Sequence, residues 1–131
     1  MNNRKILTSL ISLLILLISF YFINRSYDKE TSEKFKILRK EYPNLKFKET
    51  LNVSVLGFHN PSWLRKNPYI IHVRTTGGNF FLGTDNELRD GITISDLLEV
   101  GDSLFKKPDD DTLKVISDNE VYYVKIYTDH K

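Results

Sequence analysis

"YIIHVRTTGGNFFLG", residues 69–83, decides the fold. β-Branched and aromatic residues run on both sides of Gly77-Gly78, and glycine supplies the positive φ of a tight turn. The stretch predicts a β-hairpin. The pattern returns downstream, where "TLKVIS" (112–117) and "EVYYVKIY" (120–127) flank Asp118-Asn119, two residues that tolerate left-handed backbone. Upstream, from Lys46 on, the period is two. Phe47, Leu51, Val53 and Val55 share one face, while Lys46, Lys48, Thr50, Asn52 and Ser54 share the other, with Glu49 the one exception.

The connections read from their breakers. "GFHNPSWLRKNP", 57–68, holds Gly, Asn and two prolines and predicts a long loop. "TISDLLEVG", 93–101, predicts a short helix capped by Thr93 or Ser95. It would bury Leu97, Leu98 and Val100 and end at Gly101. The expected fold class is therefore mainly β (α+β). It is a barrel-like domain of five or so strands with one short helix over 46–131, OB-like or SH3-like in winding. A closed or nearly closed barrel protects the edges of so small a sheet.

Ahead of it, "ILTSLISLLILLISFYFI" (6–23) is an uncharged run. As a helix it reaches ~27 Å, enough to cross a hydrocarbon core. Arg4 and Lys5 precede it, Asn24 and Arg25 follow, and Phe20, Tyr21 and Phe22 lie near one interface. A cleavable signal peptide is the competing reading, but "FYFINRS" offers no small residue before Ser26. The expectation is an uncleaved transmembrane anchor behind a cytoplasmic tail (1–5). Arg25, Lys29, Lys34, Lys36, Arg39 and Lys40 favour the inside for the following segment. Long domains translocate despite such charges, so the domain is expected on the extracytoplasmic side of a cell membrane. Ser9, Ser12 and Ser19 approximate one helical face; they read as lowering the run's hydrophobicity, with pairing against another helix the alternative. Residues 24–45 read as a charged stalk. Phe35, Leu38 and Tyr42 mark a short amphipathic helix within it, starting near Thr31 or Ser32 and stopped by Pro43.

The 131 residues include no cysteine, hence no disulfide and no thiolate metal site. The formal charge of +2 matches Arg4 and Lys5, leaving a balanced remainder that lacks the net field to concentrate nucleic acid. The distribution is uneven. Residues 24–75 carry 11 basic and 5 acidic groups, and residues 76–131 carry 6 and 12.

"LLEVGDSLFKK", 97–107, contains the Gly-Asp-Ser-Leu letters of a family of serine esterases. Those enzymes place the serine after a buried strand near the start of an α/β domain, with downstream oxyanion donors and an Asp-x-x-His that supplies the base. A serine hydroxyl is inert without them. Here Tyr127 stands three places before His130, and Pro108 with its acidic run follows the serine. Gly101, Asp102 and Ser103 therefore read as a structural turn, with serine hydrolysis through Ser103 a remote alternative.

The pattern L-x-x-G-D-S-x-x-K resembles the C-terminal half of small, uncharacterised, membrane-anchored proteins of Bacteroidetes. Leu98, Gly101, Asp102, Ser103, Leu104, Lys106 or Lys107, and Thr112 carry the likeness. It spans roughly 50–128, most specifically 97–116, and the loop 57–68 departs from it. The resemblance implies an N-terminal anchor and a short β-rich domain, and no activity.

Other residues nominate little chemistry. "PDDDT" (108–112) and "DNELRDG" (85–91) lack the alternating ligands and glycine placement of calcium loops. His59, His72 and His130 lie far apart, and His72 is expected on the outer face of its strand. Trp63, in the proline-bounded loop, is read first as folding back to cover one end of the barrel; with Arg65 and Lys66 it is, as the alternative, the candidate partner-binding group. No catalytic, cofactor or metal residue is assigned, and no enzymatic activity is expected. The leading expectation is a membrane-anchored small β domain that binds a protein or a cell-envelope partner. The alternative is a structural accessory subunit acting through its transmembrane helix.

Overall fold

The computed structural model describes residues 2–85 and 91–130. Two compact units divide the chain, the first ending at Leu38 and the second starting at Arg39.

The first unit is helical. Helix α1 runs from Asn2 to Glu41, ~60 Å at the α-helical rise. No separate helix begins near Thr31 or Ser32. A capping residue acts only where a helix starts, and residues 24–30 contain neither glycine nor proline to end the preceding turns. Glu30 and Lys34 instead pair at 2.9 Å one turn apart, supporting continuity. The stop ahead of Pro43 stands, because the proline ring disfavours helical backbone in the residue before it. Within the apolar run, Ser12 donates to the Thr8 carbonyl at 2.9 Å and Thr8 to that of Arg4 at 2.8 Å. Ser12 is thus satisfied within its own helix.

The second unit is a curled antiparallel sheet of six strands, a half-barrel. In chain order the strands are β1 (Leu51–Phe58), β2 (Ile70–Thr75), β3 (Gly78–Gly83), β4 (Ser103–Lys106), β5 (Thr112–Ser117) and β6 (Glu120–Lys125). Helix α2 (Ile94–Leu97) lies between β3 and β4, and the spatial order is β3-β2-β1-β4-β5-β6. β1 makes the curl. Its first half, Leu51 to Ser54, pairs with β4, and its second half, Val55 to Phe58, pairs with β2 across an irregularity between Val55 and Gly57. Bulges of this kind bend a strand and increase its twist. β1 therefore extends to Phe58, into the span expected as loop.

Alternation places Leu51, Val53 and Val55 in the core as the sequence predicts, but the strand starts only at Leu51, and Phe47, expected on the same face, lies half-buried in the turn ahead of it and stacks on His130. They meet Val73, Leu82, Leu104, Leu113, Val115 and Val124 in one cluster, closed by Ile94, Leu97 and Leu98. Leu45, just ahead of the predicted strand, is fully buried as well. Val100 departs from expectation: it is 65% exposed, because α2 ends at Leu97 and the chain turns before it.

The two hairpins differ in how closely they follow the sequence. Asp118 and Asn119 both adopt positive φ, 50° and 63°, between the paired residues Ser117 and Glu120. In the β2–β3 hairpin the connecting residues are Thr76 and Gly77, one place earlier than expected, with Gly78 at φ 124° paired to Thr75. Thr76 is drawn onto β1. Its amide donates to the Ser54 carbonyl, and its hydroxyl accepts from the Ser54 amide, both at 3.0 Å. Gly77 then packs so closely that a Cβ there would lie 2.5 Å from Val53 Cγ1.

Candidate functional site

The L-x-x-G-D-S-x-x-K residues occupy the turn between α2 and β4 and continue through β4. Leu98 and Leu104 are core residues. Gly101 takes φ 97°, a conformation glycine adopts without steric cost, and its amide donates to the Val55 carbonyl at 2.9 Å. It lies beyond the end of α2 rather than at its C-cap, which falls on Leu98. Asp102 is buried and closes the turn in both directions. Its amide donates to the Glu99 carbonyl at 3.2 Å, and its carboxylate accepts from the Glu99 amide at 2.9 Å. At the other end of α2, the Thr93 hydroxyl donates to the Asp96 carboxylate at 2.9 Å instead of capping an amide.

Lys106 is the least expected member. It is 3% exposed, and its ammonium donates to three backbone carbonyls: Phe47 at 2.7 Å, Glu49 at 2.8 Å and Lys107 at 3.1 Å. Three donors meet three acceptors. The ammonium pins the turn before β1 to the end of β4. Ser103 stands in β4 between Ser54 of β1 and Ile116 of β5, on the outer face, and among the described residues its hydroxyl makes no hydrogen bond.

That outer face carries the open surface of the half-barrel. Asn52, Phe105, Lys114 and Tyr123 form one row across β1, β4, β5 and β6, and Ser54, Ser103, Ile116 and Val121 form the next. A groove of about 470 Å³ follows the first row, with Phe105 among its walls and Thr50, Thr112 and Lys107 at its margin. The Lys114 ammonium lies 5.8 Å from the Phe105 ring centre, a cation–π contact. Tyr123 is 69% exposed and Val121 48%.

The outer face of the β2–β3 half is covered at its His72–Phe81 end, while Arg74 and Asn79 on the same face stay exposed. Tyr42, which follows α1, stacks on His59 (ring centres 5.2 Å apart, planes at 10°) and meets His72 edge-on at 5.5 Å. His72 also meets Phe81 at 5.4 Å. His72 does lie on the outer face, but it is buried there, because Tyr42 and Phe81 cover it. Burial lowers its pKa below the ordinary histidine value, and the neighbouring His59 adds to the effect. Burial likewise raises the Tyr42 phenol, opposed by Arg74 and reinforced by Glu41. The third histidine, His130, stacks on Phe47 at 4.4 Å.

Trp63 is half-buried in a turn closed by a bond from the Leu64 amide to the Pro61 carbonyl, while Arg65 and Lys66 are exposed. The three residues adjoin in the chain, and Trp63 is not part of the core cluster. In the acidic run, Asp109 has φ 58° and Asp110 accepts from the Thr112 amide at 2.9 Å, so the run forms a tight turn. The segment 85–91 falls largely outside the described residues. No group of three metal-ligating side chains occurs among the described residues.

The strand sequences carried one signal of the open surface. In "EVYYVK" apolar residues occupy both faces of β6, with Tyr122 and Val124 toward the core and Val121 and Tyr123 away from it. Comparison with known protein families, with curated proteins and with solved structures finds no match to this chain.

Proposed function

We propose that this is a single-pass membrane protein whose β half-barrel is an extracytoplasmic binding module for a protein or cell-envelope partner. The observation that carries the anchor is the exposure of α1. Its apolar side chains between Ile6 and Ile23 are each 47–67% exposed, and the most apolar 18-residue window has nothing buried. Leaving such a run in water forfeits on the order of 20 kcal/mol at 1.5–3 kcal/mol for each large apolar side chain. A bilayer removes that cost. The uninterrupted Asn2–Glu41 helix supplies more length than a bilayer needs.

The binding reading is supported by the groove over Phe105 and Tyr123, where an exposed tyrosine and a half-buried phenylalanine stand beside Lys114 and Lys107. Trp63, Arg65 and Lys66 are a second, separate candidate surface. No chemical step is assigned to Ser103, since a hydroxyl without a base has no route to nucleophilic attack.

The test is crosslinking in living cells of the tagged full-length protein beside a version whose 6–23 segment is replaced by an unrelated apolar helix. The binding-module reading expects one specific partner captured by both. Capture lost with the swapped helix would transfer the function to the anchor and make the protein an accessory subunit. Protease accessibility of the tagged domain in sealed cells reads its side of the membrane.

A further inference from the structure

The two ends of the six-stranded sheet are treated differently by the rest of the chain. At β3, the edge is covered: the Phe81 amide donates to the Pro43 carbonyl at 3.0 Å, and the Gly83 carbonyl accepts from the Tyr127 amide at 2.9 Å. At β6 the alternation of backbone directions can be followed residue by residue. The Ile126 amide points toward the β5 side, donating to Asp111, so Glu120, Tyr122 and Val124 face β5 as well. Val121, Tyr123, Lys125 and Tyr127 then point away from it. Tyr127 finds Gly83, and two residues on Asp129 exchanges bonds with Leu45 and Phe47 at 2.8 Å. Val121, Tyr123 and Lys125 meet no such partner among the described residues, and their amides and carbonyls form a strand-length open edge.

We infer that the β6 edge is a docking site for an extended segment of a partner protein, added as a seventh strand, with acidic side chains at alternate positions. The inference rests on the binding-module reading and names the part of the module that binds. Two observations choose the occupant. The strand's own continuation is already paired along the same line by extended chain at Tyr127 and Asp129, so a further extended segment prolongs an existing seam. The outer face beside the edge carries Lys125 and Lys114, with Asp110 the one carboxylate among the groove's lining, while the opposite face presents half-buried Tyr122 and exposed Glu120 beside the buried Val124. An added strand would set acidic residues beside the lysines and apolar ones toward the core. Main-chain bonds supply affinity in this mode and alternate side chains supply selectivity.

The inference is tested on the full chain in lipid nanodiscs, with two synthetic peptides, one alternating valine with glutamate and one alternating valine with lysine. The glutamate peptide is expected to bind and to slow amide exchange at Val121, Tyr123 and Lys125. Tyr123→Pro removes an outward amide that makes no internal bond, so the fold is kept while binding weakens at least about tenfold. Lys125→Glu, which leaves the backbone untouched, is expected to weaken it in the same direction. Equal binding of the two peptides, no binding of either, or exchange unchanged at those three amides would overturn the inference. Protection of the same amides without peptide, accompanied by dimerisation, would make a second copy the occupant and overturn it equally. If the in-cell partner is still captured by Tyr123→Pro, the edge is not the site and the binding-module reading survives.

Discussion

One sheet carries two unlike outer faces. Over β2 and β3, Tyr42 lies 5% exposed against His59 and His72 and covers the His72 end of the face, with Arg74 and Asn79 exposed beyond it. Over β4, β5 and β6, Phe105, Lys114 and Tyr123 face outward, Phe105 half-buried beneath the Lys114 ammonium and Tyr123 exposed. Both faces hold aromatics, so composition alone does not separate them. Chain continuity does. The segment after α1 lies over part of the first face and holds part of the β3 edge, while among the described residues no such segment lies over the second face or pairs with the β6 edge.

The contrast can be broken most forcefully on the covered side. Tyr42→Ala removes a buried ring and uncovers His72, and is expected to cost about 3 kcal/mol, in the range of aromatic truncations. Denaturant unfolding of the full chain in detergent measures it. An effect under about 1 kcal/mol would mean that Tyr42 merely rests on the sheet. Next in size is Lys106→Met. It keeps most of the side-chain volume but strands three carbonyls, for an expected loss of about 2 kcal/mol by the same measurement.

These two residues also mark the limits of reading the sequence. The β strands and both hairpins were legible because side-chain period and turn chemistry are local: alternation gave Leu51, Val53 and Val55, and Asp118-Asn119 gave a turn with two positive φ values. Asp102 was legible as a turn residue for the same reason. Tyr42 was not, since its spacing with Phe35 and Leu38 fits a helix face and nothing local says that it leaves the helix to cover His72. Lys106 reads as a surface lysine until the carbonyls of Phe47 and Glu49 are brought to it from far along the chain. The burial of His72 failed for a related reason. The strand period placed its side chain on the correct face, but whether a face is wet depends on what later covers it. The open surface was half legible, in the apolar residues on both sides of β6.

A smaller effect sharpens the comparison through pH. His72 has its pKa lowered by burial and by His59, so the folded chain binds fewer protons than the unfolded chain as acid is added. Its contribution to stability is complete above the ordinary histidine value of about 6.5 and is lost as pH falls through the lowered folded value. His59 and Arg74 are the other basic side chains of the same cluster, and Glu41 is the carboxylate beside Tyr42. The raised Tyr42 phenol acts in the opposite direction, its contribution full below the ordinary value of 10.0 and lost above it. Unfolding midpoints across pH 4–8 should therefore decline on the acid side, and His72→Phe should flatten that decline. A decline that persists unchanged in His72→Phe would assign it to other groups.

The smallest expected effect lies on the open face, and its smallness is the point. Tyr123→Ala removes a ring that is 69% exposed and packs against little, so stability should move by no more than about 0.5 kcal/mol. A ring retained at such a position contributes to the fold chiefly by being tolerated. The matching truncation at Tyr42 is expected to cost several times more, although both are tyrosines on the outer side of the same sheet. If Tyr123→Ala proves as damaging as Tyr42→Ala, the second face is as structural as the first, and the groove over Phe105 loses its standing as a binding surface. If the gap between the two holds, the outward ring of Tyr123 is dispensable to the folded chain, as the proposed binding surface requires.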